Sequence, residues 1–440
     1  MESGETNLLR RLIAQRQWTY QAFALQYTRA AGELARRDAE PRLARLTVSE
    51  KTFRRWTGGA LRTRPGPDVC RVLEALFEQP AVALFAPAEP PTRSDPDPDS
   101  ASQSQVKEHI RMATHNAIRY TAMLSDGVSA EAVEVLTAEV GRLALVYSTV
   151  PLHELLGDLA NVQEIAFRLL ETRHRPERER DLHFVAALSS GMLAKASHDQ
   201  GDPNSAMTLA RAAYLAADRA GHEGLKAWVR GIQALTAYWA GWESQSLATA
   251  RQAQELPGLS GTVTAWLPAL EARAAARIGD RSAARSALAR AETARDVVTP
   301  SDLDGFGGLL TFPTSQQTYY RAETLVLSEP AASQSLTAAD EAVTAYSDPT
   351  RPDWAFGDEA GSRAHQAMAR IAIGELDGGL EALEPVLALP PGQRIHGVTV
   401  CARRTVAALP PAGPSTSRTA DMIRDAVEEF DRATLKTLPR

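Results

Sequence analysis

The chain has 440 residues, 48 Lys/Arg against 54 Asp/Glu, a formal net charge of −6, and is 44% hydrophobic but only 6% aromatic. That length exceeds one compact core, so two or more folding units are expected. An alanine-rich, aromatic-poor composition favours helices packed through small residues over a β-sandwich. The start, MESGETNLLRRL, is charged where a secretory leader needs an apolar stretch, and no run approaches the length of a membrane span. The two cysteines, Cys70 and Cys401, fall in different expected units. They make neither a disulfide framework nor a cysteine-based zinc site, and a cytoplasmic protein is the expectation.

Charge divides the chain. Residues 1–86 carry 14 Lys/Arg against 9 Asp/Glu, a net of +5, which leaves −11 for the remainder. A basic head on an acidic body suits a nucleic-acid contact confined to the head.

The head opens on NLLRRLIAQRQ, where Leu8, Leu9, Leu12 and Ile13 form one apolar stripe at helical spacing. A second helix follows in TYQAFALQYTRAAGELARR, with Phe23, Tyr27, Ala30 or Ala31, and Leu34 facing inward. In LTVSEKTFRRWTGG (46–59), Thr47 and Glu50 match a capping box, so a helix is expected to start there. Val48, Phe53 and Trp56 face inward, Glu50, Lys51, Arg54 and Arg55 are left outside, and Gly58-Gly59 end the helix. A Pro-bounded amphipathic helix through Val69, Leu73 and Leu76 completes the head, with Cys70 on its inner side.

These residues resemble the phage-repressor-like helix-turn-helix family. The resemblance rests on the Val48-Ser49 turn, Thr52, the inward Phe53 and Trp56, the glycine stop and the helix leading to Leu76-Phe77. It implies that the Ser-to-Trp helix enters the major groove of double-stranded DNA. Glu50, Lys51 and Arg55 then occupy base-reading positions, and Ser49 and Thr52 become phosphate or base contacts. Arg54, Arg62 and Arg64 become backbone clamps. The family joins its second helix to the recognition helix by a short turn, whereas here a long helix and AEPRLARL (39–46) intervene.

Residues 86–105, APAEPPTRSDPDPDSASQSQ, read as a solvated linker between a head at 1–85 and a body at 106–440. The body reads as helix after helix. Turns at Gly201-Asp202, Gly241-Trp242, Gly279-Asp280 and Gly374-Glu375 each follow a helical stretch, with a less regular pair around Glu329-Pro330. Small residues after the turns, Ala206, Ala210, Ala283 and Ala284, allow close helix approach. The expected fold is all-α: a helix-turn-helix domain followed by a tetratricopeptide-like α-solenoid. Residues 296–313 read as a long connector, a candidate lid over the stack.

No catalytic constellation emerges. There is no P-loop and no dinucleotide fingerprint. His109 and His115 are six residues apart, off metal-ligand spacing, and HELLG (153–157) lacks the second histidine of a zinc protease. DLDG (302–305) matches the start of a calcium loop, but FGGLLTF after it supplies no acidic ligand. No cofactor and no metal are expected. Trp228, Tyr238, Trp239, Trp266, Tyr319 and Tyr320 cluster in the central repeats, near Arg230, Arg273 and Glu323 in sequence. Most are expected in the core, with Trp266, Tyr319 and Tyr320 the candidates to line an effector groove on the concave face.

The body also resembles the tetratricopeptide half of actinobacterial regulators, through residues 302–325, 353–398 and the hairpins. Together the two resemblances imply a transcriptional regulator, of development or secondary metabolism, that binds DNA as a homodimer and senses a peptide or small-molecule effector. The alternative reading is a protein-interaction scaffold whose head does not bind DNA specifically.

Overall fold

A computed structural model describes residues 7–15, 20–38, 40–57, 65–77, 79–85, 129–172, 175–411 and 417–437. Residues 58–64, with Gly58-Gly59, Arg62 and Arg64, lie outside the described residues. So do residues 86–128, which hold the expected linker and the His109/His115 pair. The chain is all-α, with no strand among the described residues. It divides into two compact units, residues 1–107 and 108–440.

The first unit is built from α1 (Leu8–Gln15), α2 (Tyr20–Arg37), α3 (Glu50–Thr57), α4 (Pro67–Phe77) and the single turn α5 (Ala81–Leu84). Its core gathers Leu9, Phe23, Tyr27, Leu34, Trp56 and Leu73. The inserted segment between α2 and α3 is a packed turn: Leu43–Arg45 forms a short 3-10 helix, and Leu43 is fully buried. Arg71 on α4 ties this turn down, reaching Asp38 at 2.7 Å and Glu40 at 3.1 Å. Asn7 fixes α1 on α3, accepting the Arg10 N–H and donating to the Trp56 carbonyl at 2.7 Å.

The second unit begins with α6 (Ala130–Val146) and α7 (Leu152–Leu170). Helical hairpins follow: α8 (Pro176–Asp199) with α9 (Pro203–Ala220), α10 (Glu223–Trp239) with α11 (Glu243–Gln254), and α12 (Val263–Arg277) with α13 (Arg281–Asp296). Then come α14 (Thr314–Ser328) with α15 (Ser333–Ala345), α16 (Phe356–Ala372) with α17 (Leu376–Leu387), and finally α18 (His396–Ala407) and α19 (Arg418–Thr437). The expected turn glycines 201, 241, 279 and 374 all sit at φ between +78° and +88°, the left-handed region that ends a helix with little strain. Where Asp follows the glycine it caps the next helix: Asp202 accepts from the Ser205 N–H at 3.0 Å, and Asp280 from the Ala283 N–H at 2.9 Å. The pair around Glu329-Pro330 is a regular hairpin, α14 with α15, that turns without glycine.

The first helices of the hairpins form an inner row, each of α8, α10, α12, α14, α16 and α18 packing on the next. The row then closes on itself, because α18 also packs against α8 and α10. Close approach along the row comes from ring-on-glycine contacts. A methyl at Gly191 would overlap the Trp228 ring, one at Gly231 the Trp266 ring, and one at Gly361 the Tyr319 ring. The concave face expected from the repeat pattern is therefore not open. The connector after α13 adds a further wall. Its 3-10 turns Asp304–Phe306 and Gly308–Leu310 pack on α6, and Gly308 lies so close to the Ala144 carbonyl that no side chain would fit. Asp304, the aspartate of the calcium-loop-like sequence, is spent on the fold, accepting from the Thr262 Oγ1 at 2.6 Å and the Ser301 N–H at 2.7 Å. Among the described residues no helix is long and apolar enough to cross a membrane.

Candidate functional site

Two groups of side chains stand apart from ordinary packing, one in each unit. In the first unit, α3 is held by its apolar face. Trp56 is buried, and Phe53 packs 5.0 Å from the Phe23 ring and 5.7 Å from that of Tyr20. Tyr20 also donates to the Val48 carbonyl at 3.0 Å, which anchors the entry to the helix. The N-cap is Ser49 and not Thr47: the Ser49 Oγ accepts from the Thr52 N–H at 3.2 Å and lies 2.9 Å from the Thr52 hydroxyl. A serine at this position satisfies a first-turn donor directly, so the helix starts at Glu50.

That framework fixes which α3 side chains face solvent. Glu50, Lys51, Arg54 and Arg55 are all exposed. Arg54 pairs with Glu50 at 2.6 Å, one helical turn away. Lys51 and Arg55 also lie one turn apart and carry no ion pair among the described residues. An i, i+4 pair of cations on a firmly seated helix springs from Cβ atoms about 6 Å apart and so presents both charges on one face. Holding such a pair costs the fold little, because exposed charges remain solvated.

In the second unit the inner helices turn charge inward. Glu323 of α14 is fully buried and meets Arg273 of α12, whose Nε lies 2.6 Å from Oε2. Its Oε1 accepts from the Tyr238 hydroxyl of α10 at 2.5 Å and from Arg404 of α18 at 3.1 Å. His365 of α16 stands 3.6 Å away. One residue from each of four other inner helices thus converges on the Glu323 carboxylate. Burial by itself would raise the Glu323 pKa, but the attraction of Arg273, His365 and Arg404 outweighs it and holds the carboxyl at about 2. Burial pushes His365 down to about 4, so it is neutral near pH 7.

Beside this network lie two adjoining cavities of about 110 and about 310 Å³ that share Lys195, Leu235, Gln316, Tyr320 and Asp358 as walls. The smaller is lined by Arg273, Trp239, Tyr319 and Phe356; the larger by Trp228, Ile232, Trp266, Phe312 and Trp354. Lys195 is neutralised by Asp199 at 2.5 and 2.6 Å, and Tyr147 donates to the same carboxylate at 2.8 Å. Burial raises Asp358 to about 6, against the opposing pull of the Tyr346 hydroxyl, Lys195 and Arg273. The Tyr346 hydroxyl and the Gln316 amide both reach its Oδ2 at 3.1 Å.

The three expected effector residues are brought together here: Tyr319 on the smaller cavity, Trp266 on the larger, and Tyr320 on both. Trp228 and Trp239 line cavity walls as well, and Tyr238 belongs to the carboxylate network. Arg230 does not join them; its guanidinium stacks 4.1 Å from the Tyr214 ring. Lys195, Asp199, Gln316 and Asp358 escaped the sequence reading, because they lie on α8, α14 and α16 with no motif linking them. A register signal was available. Gly191 and Gly231 are 40 residues apart, and their ring partners Trp228 and Trp266 are 38 apart, the spacings of the turn glycines. No family model matches the chain, and no curated protein or solved structure matches it either.

Proposed function

We propose that the chain is a sequence-specific DNA-binding regulator, with α3 as its recognition helix and the second unit as a tetratricopeptide-like sensor that dimerises. The observation that carries this reading is the seating of α3: its apolar face is locked in the core, and Lys51 and Arg55 are left in solvent with no ion pair among the described residues. Arg suits a bidentate contact to guanine and Glu50 can accept from cytosine, while Ser49 and Thr52 sit at the helix N-terminus, where phosphate is favoured. One eight-residue helix offers few base contacts, which motivates a homodimer reading two half-sites. The two adjoining cavities of the second unit are the candidate effector site, and a bound effector would act by favouring one placement of the two heads.

Fluorescence anisotropy with DNA from upstream of the chain's own gene, beside a scrambled duplex at two salt concentrations, tests the reading. Selective binding that weakens steeply with salt and disappears in the Lys51→Ala/Arg55→Ala variant is the expected result. Equal affinity of variant and parent for a selectively bound duplex would overturn the assignment of α3. Absence of any selective complex across a genomic fragment pool would leave the scaffold reading in its place.

A further inference from the structure

We infer that the smaller cavity of the second unit binds a monocarboxylic acid, whose carboxylate lies on the Nη edge of Arg273 and whose apolar body extends into the larger cavity. The inference rests on the reading of these cavities as the sensor site and is independent of whether α3 reads DNA.

Arg273 is 1% exposed, and both faces of its guanidinium are covered. The Tyr320 ring lies 4.0 Å from its central carbon and the Tyr238 ring 4.4 Å. Stacking of this kind leaves only the edges of the planar group for hydrogen bonding. The Nε edge faces Glu323 as an ion pair 2.6 Å from Oε2, without hydrogen-bond geometry. Nη1 and Nη2 have no hydrogen bond among the described residues, although the residue lines the smaller cavity. Buried guanidinium donors without partners are costly, and few native structures retain them without a use. Two parallel N–H groups in a rigid fork match the two oxygens of a carboxylate.

Charge balance selects a monoanion. Arg273 and Arg404 share the single negative charge of Glu323, His365 beside them is neutral near pH 7, and Lys195 is matched by Asp199. Asp358 on the same cavity wall, raised to about 6, adds a further negative charge once ionised, so the network holds one uncompensated positive charge only while Asp358 keeps its proton. A phosphate dianion would overshoot it and would meet Asp358 on the same cavity wall. The remaining walls call for an apolar body: Leu235, Trp239 and Phe356 follow Arg273, and Trp228, Ile232 and Trp266 continue beyond them. The connector residues 309–312 and Trp354 wall a cavity of about 310 Å³, a size that suits a small molecule over an extended peptide.

The test uses the full-length protein without DNA and compares octanoate with octanamide, and phenylacetate with phenylacetamide. Trp228, Trp239, Trp266 and Trp354 line the cavities, so occupancy is read as a saturable change in tryptophan emission together with a rise in Tm. The acids should bind at least about tenfold more tightly than their amides, the margin of a charge-assisted pair over a neutral one. Arg273→Lys keeps a cation for Glu323 but removes the fork, and it should reduce that preference to near unity. The acid–amide comparison in the unaltered chain does not depend on whether the variant folds. Equal affinity of acids and amides, or no saturable change with either acid at millimolar concentration, would overturn the inference and leave the DNA reading untouched.

Discussion

Helix α3 of the first unit holds Glu50, Lys51, Arg54 and Arg55 in solvent, whereas the inner helices of the second unit bury Arg273, Glu323 and His365 and half-bury Asp358. The same residue types meet opposite physics. An exposed cation keeps its hydration, contributes little to stability, and remains available to an incoming phosphate or base edge. A buried cation has lost its water and must be matched by protein groups or by a ligand. In the first unit the solvent-facing cations can be altered without touching the core, while in the second the fold and the candidate ligand site share the same side chains.

The sharpest way to break this contrast is Glu323→Ala. It leaves Arg273 and Arg404 facing each other without their carboxylate, and a loss of about 3–5 kcal/mol is expected for one member of a buried ion network. Urea denaturation followed by circular dichroism measures it, and a loss near zero would mean that water reaches the network. Gly231→Ala comes next. Its methyl would overlap the Trp266 ring across the inner row, so overpacking should cost about 1–3 kcal/mol. Part of that loss should return when Gly231→Ala is combined with Trp266→Phe, whose smaller ring gives way. A double-mutant cycle reads the coupling, and strict additivity would argue against the ring-on-glycine contact.

A pH series sharpens the comparison further. Folded Asp358 keeps its proton up to about pH 6, against an ordinary value of 3.8, so between those values the folded state binds more protons than the unfolded chain. Its contribution to stability therefore grows as pH falls from 7 towards 4. Glu323, held at about 2 against an ordinary 4.5, works the other way: its contribution is complete above 4.5 and is lost as pH falls towards 2. His365, held at about 4 against an ordinary 6.5, contributes stability that is lost as pH falls over the same interval. Asp358→Asn should therefore make Tm fall more steeply from pH 7 to 4.5 than in the unaltered chain, while leaving the acid limb in place. An unchanged slope in that variant would remove Asp358 as a contributor to it. The smallest expected effect is on the other side of the contrast. Lys51→Ala/Arg55→Ala should shift the stability of the first unit by no more than about 0.5 kcal/mol in the same denaturation assay. A larger loss would give those cations a structural duty and weaken the DNA reading.

Much of the local structure was legible because its causes are local. The apolar stripe of α1, the inward Phe53 and Trp56 of α3, and the turn glycines of the second unit all follow from helical periodicity or from the φ that a helix end requires. The start of α3 was misplaced by two residues, because Thr47 and Ser49 are both competent caps, and the choice between them goes with tertiary contacts: Val48 is buried and its carbonyl accepts from the Tyr20 hydroxyl. The aromatic cluster was visible as a group, but its distribution between cavity wall and ion network was not. Trp266 and Tyr319 look alike in sequence, yet each is placed by the glycine opposite it on another helix.

Helicity, the hairpin rhythm and the solvent face of α3 were thus determined by the sequence through short-range rules. The tertiary structure alone decided that the inner row closes, with α18 returning to α8 and α10. That closure turns an expected open concave face into two adjoining, partly open cavities. It also brings Tyr238, Arg273, Glu323, His365 and Arg404 to one point from positions up to 166 residues apart. The reason is that small rotations between successive helices accumulate along a stack, and their sum depends on every ring, glycine and alanine packed between them.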